Sequence, residues 1–189
     1  VIQYIEPEIH NNEAIGLDIG SEAMRRYAAM SAAQNNAVRL TAPITLVQAE
    51  QKSQQGFLIL IPVYNITPAP TTGQERIQHL FGWSYAALLI DEVLSTIAGL
   101  GPNVVLNISD ITDSQNINFF QRGNETAALR EYQQQSQLSL FGRQWQLELA
   151  PTEQFVTELA LPSYNSLYRE IMSLTILISL IVFTLQLLL

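Results

Sequence analysis

The last nineteen residues of the chain, 171–189, constrain its fold more than any other segment, because none of them is charged and most are apolar. As an α-helix they would span about 28 Å, close to the ~30 Å hydrocarbon core of a lipid bilayer. Tyr164 and Tyr168 precede the run, as in the aromatic belt at a membrane surface. We therefore predict a transmembrane helix over residues 167–189. The alternative is a buried core helix of a soluble protein.

Composition limits what the rest of the chain can bind. Seventeen acidic residues outnumber nine basic ones, and the formal net charge is −8. Nucleic-acid binding requires a basic surface that displaces counterions from phosphates, so this balance argues against a nucleic-acid partner. The chain has no cysteine, which excludes disulfides, thiolate nucleophiles and thiolate metal sites.

The order of helix and strand patterns indicates an α+β fold with antiparallel sheets. Ser21 is a candidate N-cap for an alanine-rich helix that ends near Gln34, while Asp91 and Glu92 open a second helix that ends at Gly99. Apolar runs predict strands at 38–40, 44–48, 56–64, 81–89, 103–109 and 143–149.

Two of these predicted strands also indicate their surroundings. Residues 56–64 are continuously apolar, which predicts a strand buried on both faces, and Pro62 within them predicts an edge position or a bulge. Residues 143–149 alternate, with Trp145, Leu147 and Leu149 facing inward, which predicts a half-buried antiparallel strand.

A loop at residues 65–73, rich in proline and threonine, is a candidate junction between two subdomains. We therefore expect one lobe at 21–73 and a second lobe at 74–160. Residues 1–20 would form the end of an N-terminal helical or linker region.

The sequence shows no pattern of reactive groups, and we therefore predict no catalytic residue, no metal site and no cofactor. His10 and His79 lie far apart in sequence and form no metal-ligand pattern. Gly82-Trp83-Ser84-Tyr85-Ala86 lacks the second glycine of a nucleophile elbow and lies in a predicted strand. Asp110 and Asp113 could hold a hard cation, but such a pair is more often a solvated turn.

A binding pocket remains as the candidate functional feature. Tyr64, Trp83 and Tyr85 lie on or beside two apolar strands, where aromatic side chains with inward polar tips could line a ligand cavity. Packing in an ordinary core explains the same residues, and the sequence leaves both interpretations open.

Several stretches together resemble a CHASE domain. They are the helix at 24–34 with the following Thr41-Ala42-Pro43-Ile44 segment, the strand at 56–64 that ends in Pro62-Val63-Tyr64, the segment at 81–94, and Gly142-Arg143-Gln144-Trp145. The resemblance covers about residues 4–155.

The resemblance implies an extracytoplasmic sensor domain with a long N-terminal helix and two PAS-like antiparallel-sheet lobes, placed before a transmembrane helix. The membrane-distal lobe, here 21–73, would bind a small molecule, and the proximal lobe would be 74–160. The resemblance further implies a homodimer in a bacterial inner membrane, with the sensor in the periplasm. The cytoplasmic output would be a histidine kinase or a cyclic-di-GMP enzyme such as a diguanylate cyclase.

The resemblance also carries over individual binding residues. Thr41 matches a threonine important in the plant members, and Val47 stands where a backbone contacts an adenine-like ring. Arg25 replaces their ligand-binding aspartate with a permanent donor, which favours a small carboxylate over an adenine-like ligand. Tyr85 stands where a glycine is expected and would narrow the cavity. The expected ligand-binding set is Arg25, Thr41, Val47, Tyr64, Trp83 and Tyr85.

Two functions from different classes follow from the sequence. The first is small-molecule sensing by a membrane receptor, and the second is a ligand-free structural or dimerisation module of such a receptor. A membrane-anchored enzyme is a third class, which the missing reactive constellations argue against.

Overall fold

The first half of the chain packs one helix on one antiparallel sheet. The computed structural model describes residues 1–7, 14–47, 53–95, 101, 103–161 and 163–188. Helix α1 spans Ala23–Asn35, and the first sheet contains β1 (Arg39–Leu40), β2 (Ile44–Val47), β3 (Ser53–Tyr64) and β4 (Leu80–Leu89). Two short helices, α2 (Gly73–Gln78) and α3 (Ile90–Ser95), flank β4 in the chain.

Helix α1 begins one residue later than the sequence predicted. Asp18 caps a separate 3₁₀ turn at Ile19–Ser21, and Glu22 is the N-cap of α1. The Glu22 carboxylate accepts hydrogen bonds from the backbone N–H groups of Met24 and Arg25 at 2.9 and 2.8 Å. The Glu22 carboxylate therefore caps α1 in place of the Ser21 hydroxyl that the sequence predicted. The helix dipole favours a negative charge at this position.

Strand β3 is the centre of the first sheet. Strands β1 and β2 pair with successive stretches of one edge, and β4 pairs with the other edge, all antiparallel. As predicted, β3 is buried on both faces along its middle, where Phe57, Leu58 and Leu60 are buried. Pro62 lies beyond the end of β1 and pairs with Trp83 of β4, so β3 has a strand partner on one side only at this position. The register of β3 also shifts between Val63 and Tyr64, so an open edge and a bulge, the two alternatives expected for this proline, both occur at this end of β3.

The second sheet contains β5 (Val104–Asp110), β6 (Ile117–Arg122), β7 (Gln134–Leu140) and β8 (Arg143–Pro151), in the spatial order β6-β5-β8-β7. The sequence predicted β5 and β8. Trp145 and Leu147 pack inward as expected, but Leu149 is 36% exposed and the neighbouring Ala150 is buried instead. The alternation therefore breaks near the end of β8.

The two sheets divide the chain at a different point from the one we predicted. Strand β4 pairs with β3 up to Leu89, so residues 80–89 belong to the first sheet. The loop at 65–73 therefore connects two parts of one sheet and does not separate the lobes at 73/74. The change from the first sheet to the second comes after α3. The predicted helix end at Gly99 and strand end at Gln48 lie outside the described residues.

Two apolar clusters stabilise the fold. The first lies between α1 and the first sheet, where four alanines of the helix let the backbone approach the strands: Ala28, Ala29, Ala32 and Ala33. The second lies between the two sheets and includes the aromatic rings of Phe57, Phe119 and Trp145, with centroids 5.0–5.1 Å apart. These clusters use opposite faces of β3.

The second sheet leads to the apolar C-terminal helix. Helix α4 (Glu153–Glu158) follows β8, and α5 spans Tyr164–Leu188. Within Tyr164–Gln186, a window of 18 residues has a mean hydropathy of 1.7 and is not buried against the rest of the protein. By length and composition α5 is able to cross a membrane. The predicted fold class, α+β with two antiparallel sheets followed by an apolar helix, is confirmed.

Candidate functional site

Two predicted site residues, Tyr64 and Trp83, direct their polar atoms at α1. The Tyr64 hydroxyl donates a hydrogen bond to the carbonyl of Ala33 at 2.6 Å. Trp83 Nε1 donates to the carbonyl of Ala29 at 2.8 Å. Both side chains therefore join the first sheet to the helix through hydrogen bonds within the protein. Burial raises the pKa of the Tyr64 hydroxyl, against the opposing charge of Arg76.

Thr41, a third predicted site residue, fills a gap in the sheet. Residues 41–43 separate β1 from β2 and leave Leu58 of β3 without a strand partner on that edge. The Thr41 N–H donates to the Leu58 carbonyl, and the Thr41 hydroxyl accepts from the Leu58 N–H, both at 3.0 Å. Thr41 is fully buried, and its hydroxyl supports the backbone of β3.

Arg25 and Tyr85 carry buried polar atoms that have no hydrogen-bond partner. Arg25 lies in the first half of α1, and its Nη2 donates to the carbonyl of Thr45 at 3.0 Å, while its buried Nε is unpaired. Tyr85 packs against the cluster between α1 and the first sheet, and its buried hydroxyl is unpaired. Burial raises the pKa of Tyr85 above 10.0. Such atoms are costly unless water or a ligand bonds them.

Val47, the sixth predicted site residue, ends β2 and pairs with Ser53 at the start of β3. The five other residues all belong to α1, to the first sheet or to the link between β1 and β2, so the predicted set gathers in one half of the protein. His10 lies outside the described residues, and His79 Nδ1 is 3.2 Å from the side-chain oxygen of Asn65.

The sequence missed an ion-pair cluster at one end of the second sheet. Arg143 Nε donates to Asp110 at 2.7 Å, and Arg143 Nη1 donates to Asp113 at 3.1 Å. The Thr112 hydroxyl donates to Asp110 at 2.6 Å and accepts from the Gln144 N–H at 2.9 Å. The two aspartates that we considered as a cation site thus bind a guanidinium. Among the described residues, no group of three or more metal-ligating side chains occurs.

Arg143 stays charged in this cluster. Burial alone would lower the pKa of its guanidinium, but the hydrogen bonds and charges of Asp110 and Asp113 raise the pKa above its ordinary value. Little in the sequence indicates this ion pair, because Asp110 and Arg143 are 33 positions apart in the chain and come together only when β5 pairs with β8.

An open cleft of about 600 Å³ lies between α1 and this cluster. Its walls come from the exposed face of α1, from β1 and its following residues, and from two turns of the second sheet: Ala23, Met24, Tyr27, Ala28, Ser31, Arg39, Leu40, Ala42, Thr112, Asp113, Gly142 and Arg143. Its size is within the range of small-molecule sites. None of the six predicted site residues lines it.

The comparison with protein families identifies the fold's relatives. The model of the CHASE domain family matches residues 1–120, which include α1, the whole first sheet and the first strands of the second sheet. The chain belongs to the CHASE domain family. CHASE domains are extracellular sensor domains of receptors and are not catalytic, so this chain is the sensing segment of a receptor. One described helix, α5, is a candidate membrane anchor for this CHASE domain.

Among solved structures, this CHASE domain is similar to the periplasmic sensory domain of the Campylobacter jejuni chemoreceptor Tlp1. The identity is 9% and the TM-score is 0.46, and the match covers 77% of this chain and 59% of that one. The chain thus spans about three fifths of that structure. No curated protein matches this sequence.

Proposed function

We propose that this CHASE domain senses a small molecule in the periplasm of a bacterium whose inner membrane α5 crosses. Four buried side-chain polar atoms of the described residues are unpaired, and two of them, Asn107 Oδ1 and Trp145 Nε1, belong to the second sheet. The observation that carries the proposal is that the other two, Arg25 Nε on α1 and the Tyr85 hydroxyl on β4, belong to the half of the protein where the ligand site is expected. Within a sensor family, donors left unpaired in the ligand-free protein are candidate ligand contacts.

The chemistry of these atoms favours a small carboxylate. Arg25 offers a permanent positive charge and N–H donors, which bind carboxylates through strong charge-assisted hydrogen bonds. An adenine-like ligand would need acceptors as well, and Arg25 provides none. Thr41, Tyr64 and Trp83 would shape the walls of this site, because their polar atoms already bond within the protein, and Val47 would offer backbone groups.

The proposed relay runs from the second sheet into the membrane. Strand β8 ends at Pro151, Thr152 caps α4, and α5 follows after a short link. A ligand that binds one arrangement of the sheets more tightly than another would shift the population of α5 positions. We propose that this shift acts in a homodimer, and that a kinase or cyclic-di-GMP enzyme in the cytoplasm reads it.

A ligand screen on the full chain in lipid nanodiscs tests the site. Thermal unfolding would be followed by the fluorescence of Trp83 and Trp145, one in each apolar cluster, against small carboxylates and adenine derivatives. A ligand that binds the folded state raises the melting temperature by mass action. We expect a carboxylate whose effect is lost in Arg25→Gln and kept in the matched variant Arg26→Gln, whose side chain bonds the Gly20 carbonyl.

A carboxylate without an ammonium group whose effect survives Arg25→Gln would contradict this site. The second candidate function, a ligand-free structural or dimerisation module, is favoured by a specific observation: the polar atoms of Thr41, Tyr64 and Trp83 all bond within the protein. A dimer that shows no melting shift with any compound would support this second function.

A further inference from the structure

The cleft between α1 and the second sheet contains two opposite charges that are not neutralised by each other. Arg143 pairs with Asp110, and both side chains are nearly inaccessible, with 7% and 1% of their surfaces exposed. This pair balances its own charge. Arg39 and Asp113 also line the cleft, and they are not within ion-pair distance of each other.

Arg39 is a half-buried cation that lacks a carboxylate partner among the described residues. Its Nε donates to the Ser31 hydroxyl and its Nη1 to the carbonyl of Val38, both at 3.2 Å. Neither acceptor is charged. The stem of Arg39 lies against Gly142, where an added Cβ would come within 2.8 Å of Arg39 Cδ. The hairpin turn therefore fixes the place of a guanidinium that remains available to an anion.

Asp113 is the second of two carboxylates that share the single positive charge of Arg143, so its own negative charge is not fully balanced within the ion-pair cluster. One of its oxygens accepts from Arg143 Nη1 at 3.1 Å, but Arg143 is already paired with the buried Asp110. The Asp113 side chain is 57% exposed, so it can accept a further donor without losing its contact with Arg143. A phosphate or dicarboxylate would meet Arg39 but would also be repelled by Asp113.

We propose that this cleft binds a small zwitterion, with its carboxylate on Arg39 and its ammonium group on Asp113. Charge-assisted hydrogen bonds of this kind are the stronger class and give orientation as well as affinity. The apolar body of the ligand packs on the exposed helix wall of Met24 and Tyr27, which are 43% and 67% exposed, and on the buried Leu40 below it. An α-amino acid with an apolar side chain has this combination of groups.

The position of the cleft gives such a ligand a structural consequence. Its walls come from α1 and β1 on one side and, on the other, from the β5–β6 turn with Asp113 and the β7–β8 turn with Gly142. The Leu40 N–H already donates to the Phe141 carbonyl of that turn at 3.0 Å. A zwitterion bound to Arg39 and Asp113 adds a second link between the sheets. This site is independent of the site at Arg25 and Tyr85.

The test uses the full chain in nanodiscs, with the apolar L-amino acids leucine, methionine and phenylalanine as probes. Binding is measured by calorimetry and by the melting shift. Each probe is compared with its N-acetyl derivative, which lacks the positive charge, and with its amide, which lacks the negative charge. We expect at least one amino acid to bind, and both of its derivatives to bind at least about tenfold more weakly.

Substitutions of Asp113 and Arg39 test which side chain binds the ammonium group of the ligand and which binds its carboxylate. Asp113→Asn keeps an exposed polar side chain, and it should weaken the amino acid about tenfold while removing the protein's preference over the N-acetyl derivative. Arg39→Gln should remove the preference over the amide. Asp91→Asn and Arg122→Gln are matched controls away from the cleft and should change neither preference.

Three results would overturn the proposal. They are the absence of binding by all three amino acids at about 10 mM, equal binding of an amino acid and its derivatives, and unchanged discrimination in Asp113→Asn. Binding that is lost in Arg25→Gln and kept in Arg39→Gln would assign the ligand to the other site and would likewise overturn this one. If the screen finds no carboxylate that depends on Arg25, the measured binding of amino acids at Arg39 and Asp113 is unaffected. The two proposed sites can therefore be refuted separately.

Discussion

Thr41 shows at the scale of one residue how a predicted site residue also supports the sheet. Its hydroxyl accepts the N–H of Leu58 where β1 has ended and β2 has not begun. Thr41→Val keeps the shape of the side chain but leaves this buried N–H unpaired. We expect the free energy of unfolding to fall by about 1–3 kcal/mol, measured by urea denaturation.

Thr41→Ser is the matched control, because serine retains the accepting oxygen and loses a methyl group. It should cost less than Thr41→Val. Equal stability of the valine variant and the natural protein would show that the hydroxyl does not support β3.

Tyr85 and Tyr64 form a second comparison, since the two hydroxyls differ in whether they are bonded. Tyr85→Phe removes a buried hydroxyl that has no protein partner, whereas Tyr64→Phe removes the bond to the Ala33 carbonyl. We expect Tyr85→Phe to be neutral or to stabilise the ligand-free protein by about 1 kcal/mol, and Tyr64→Phe to destabilise it by about the same amount. Urea denaturation of both variants measures this, and a costly Tyr85→Phe would contradict it.

The buried hydroxyl of Tyr85 also predicts that the free energy of unfolding depends on pH. Burial raises the pKa of Tyr85 above 10.0, so the folded state favours the protonated hydroxyl. The resulting stability is complete below pH 10.0 and is lost as the pH rises through the folded-state pKa. Above pH 10.0 the natural protein should therefore lose more stability than Tyr85→Phe. Parallel pH profiles of the two proteins would contradict this assignment.

At the scale of elements, the turn between β7 and β8 holds the two sheets together. Gly142 has a φ of 85°, and an added Cβ would lie 2.8 Å from Arg39 Cδ. Gly142→Ala therefore combines backbone strain with a clash against β1. Gly16 has the same φ of 85° but no described atom within 4 Å of such a Cβ, so Gly16→Ala carries the strain alone.

We expect Gly142→Ala to cost more than Gly16→Ala by about 1 kcal/mol, measured by thermal unfolding. Hydrogen exchange at the Leu40 amide should also accelerate in Gly142→Ala, because that amide bonds the Phe141 carbonyl of the turn. Equal costs, with unchanged exchange at Leu40, would show that the turn does not depend on this close approach.

The elements also show what the sequence predicts well. Continuous apolar runs identified β3 and β5, because a strand buried on both faces needs apolar residues at every position. The apolar run at 81–89 also identified β4, although Leu89 is its only buried residue. Strand β7 was missed, since Gln134–Leu140 is polar and almost entirely exposed at the sheet edge. The lobe boundary was placed wrongly because a loop rich in proline looks the same whether it joins two sheets or two strands of one sheet.

Side-chain partners were harder to predict than elements. The sequence identified Trp83 and Tyr85 as aromatic residues in an apolar strand, and the CHASE resemblance identified Arg25, but neither predicted whether their polar atoms would be paired. Pairing depends on register: Trp83 meets the Ala29 carbonyl 54 positions away, and Arg39 meets the turn at Gly142. Such long-range contacts leave no local pattern in a single sequence.

At the scale of the whole molecule, two features make a sensor of this chain: a CHASE domain with two packed sheets, and the apolar helix α5 behind it. The apolar cluster between the sheets joins Phe57 of the first sheet to Phe119 and Trp145 of the second. In the relay that we propose, a ligand that alters the first sheet would act on β8 through this direct packing, and β8 is followed in the chain by α4 and α5.

The most direct test of this account measures whether a ligand moves α5. The chain has no cysteine, so Ser163→Cys provides a single site for a spin label just before α5. Distances between the two labels of the proposed homodimer, reconstituted in nanodiscs, would be measured by electron paramagnetic resonance, with and without each compound that raises the melting temperature. We expect each such compound to change the distribution of distances, and we expect Arg25→Gln to abolish the change for a carboxylate and Arg39→Gln to abolish it for an amino acid. A compound that raises the melting temperature and leaves the distances unchanged would contradict the proposed relay.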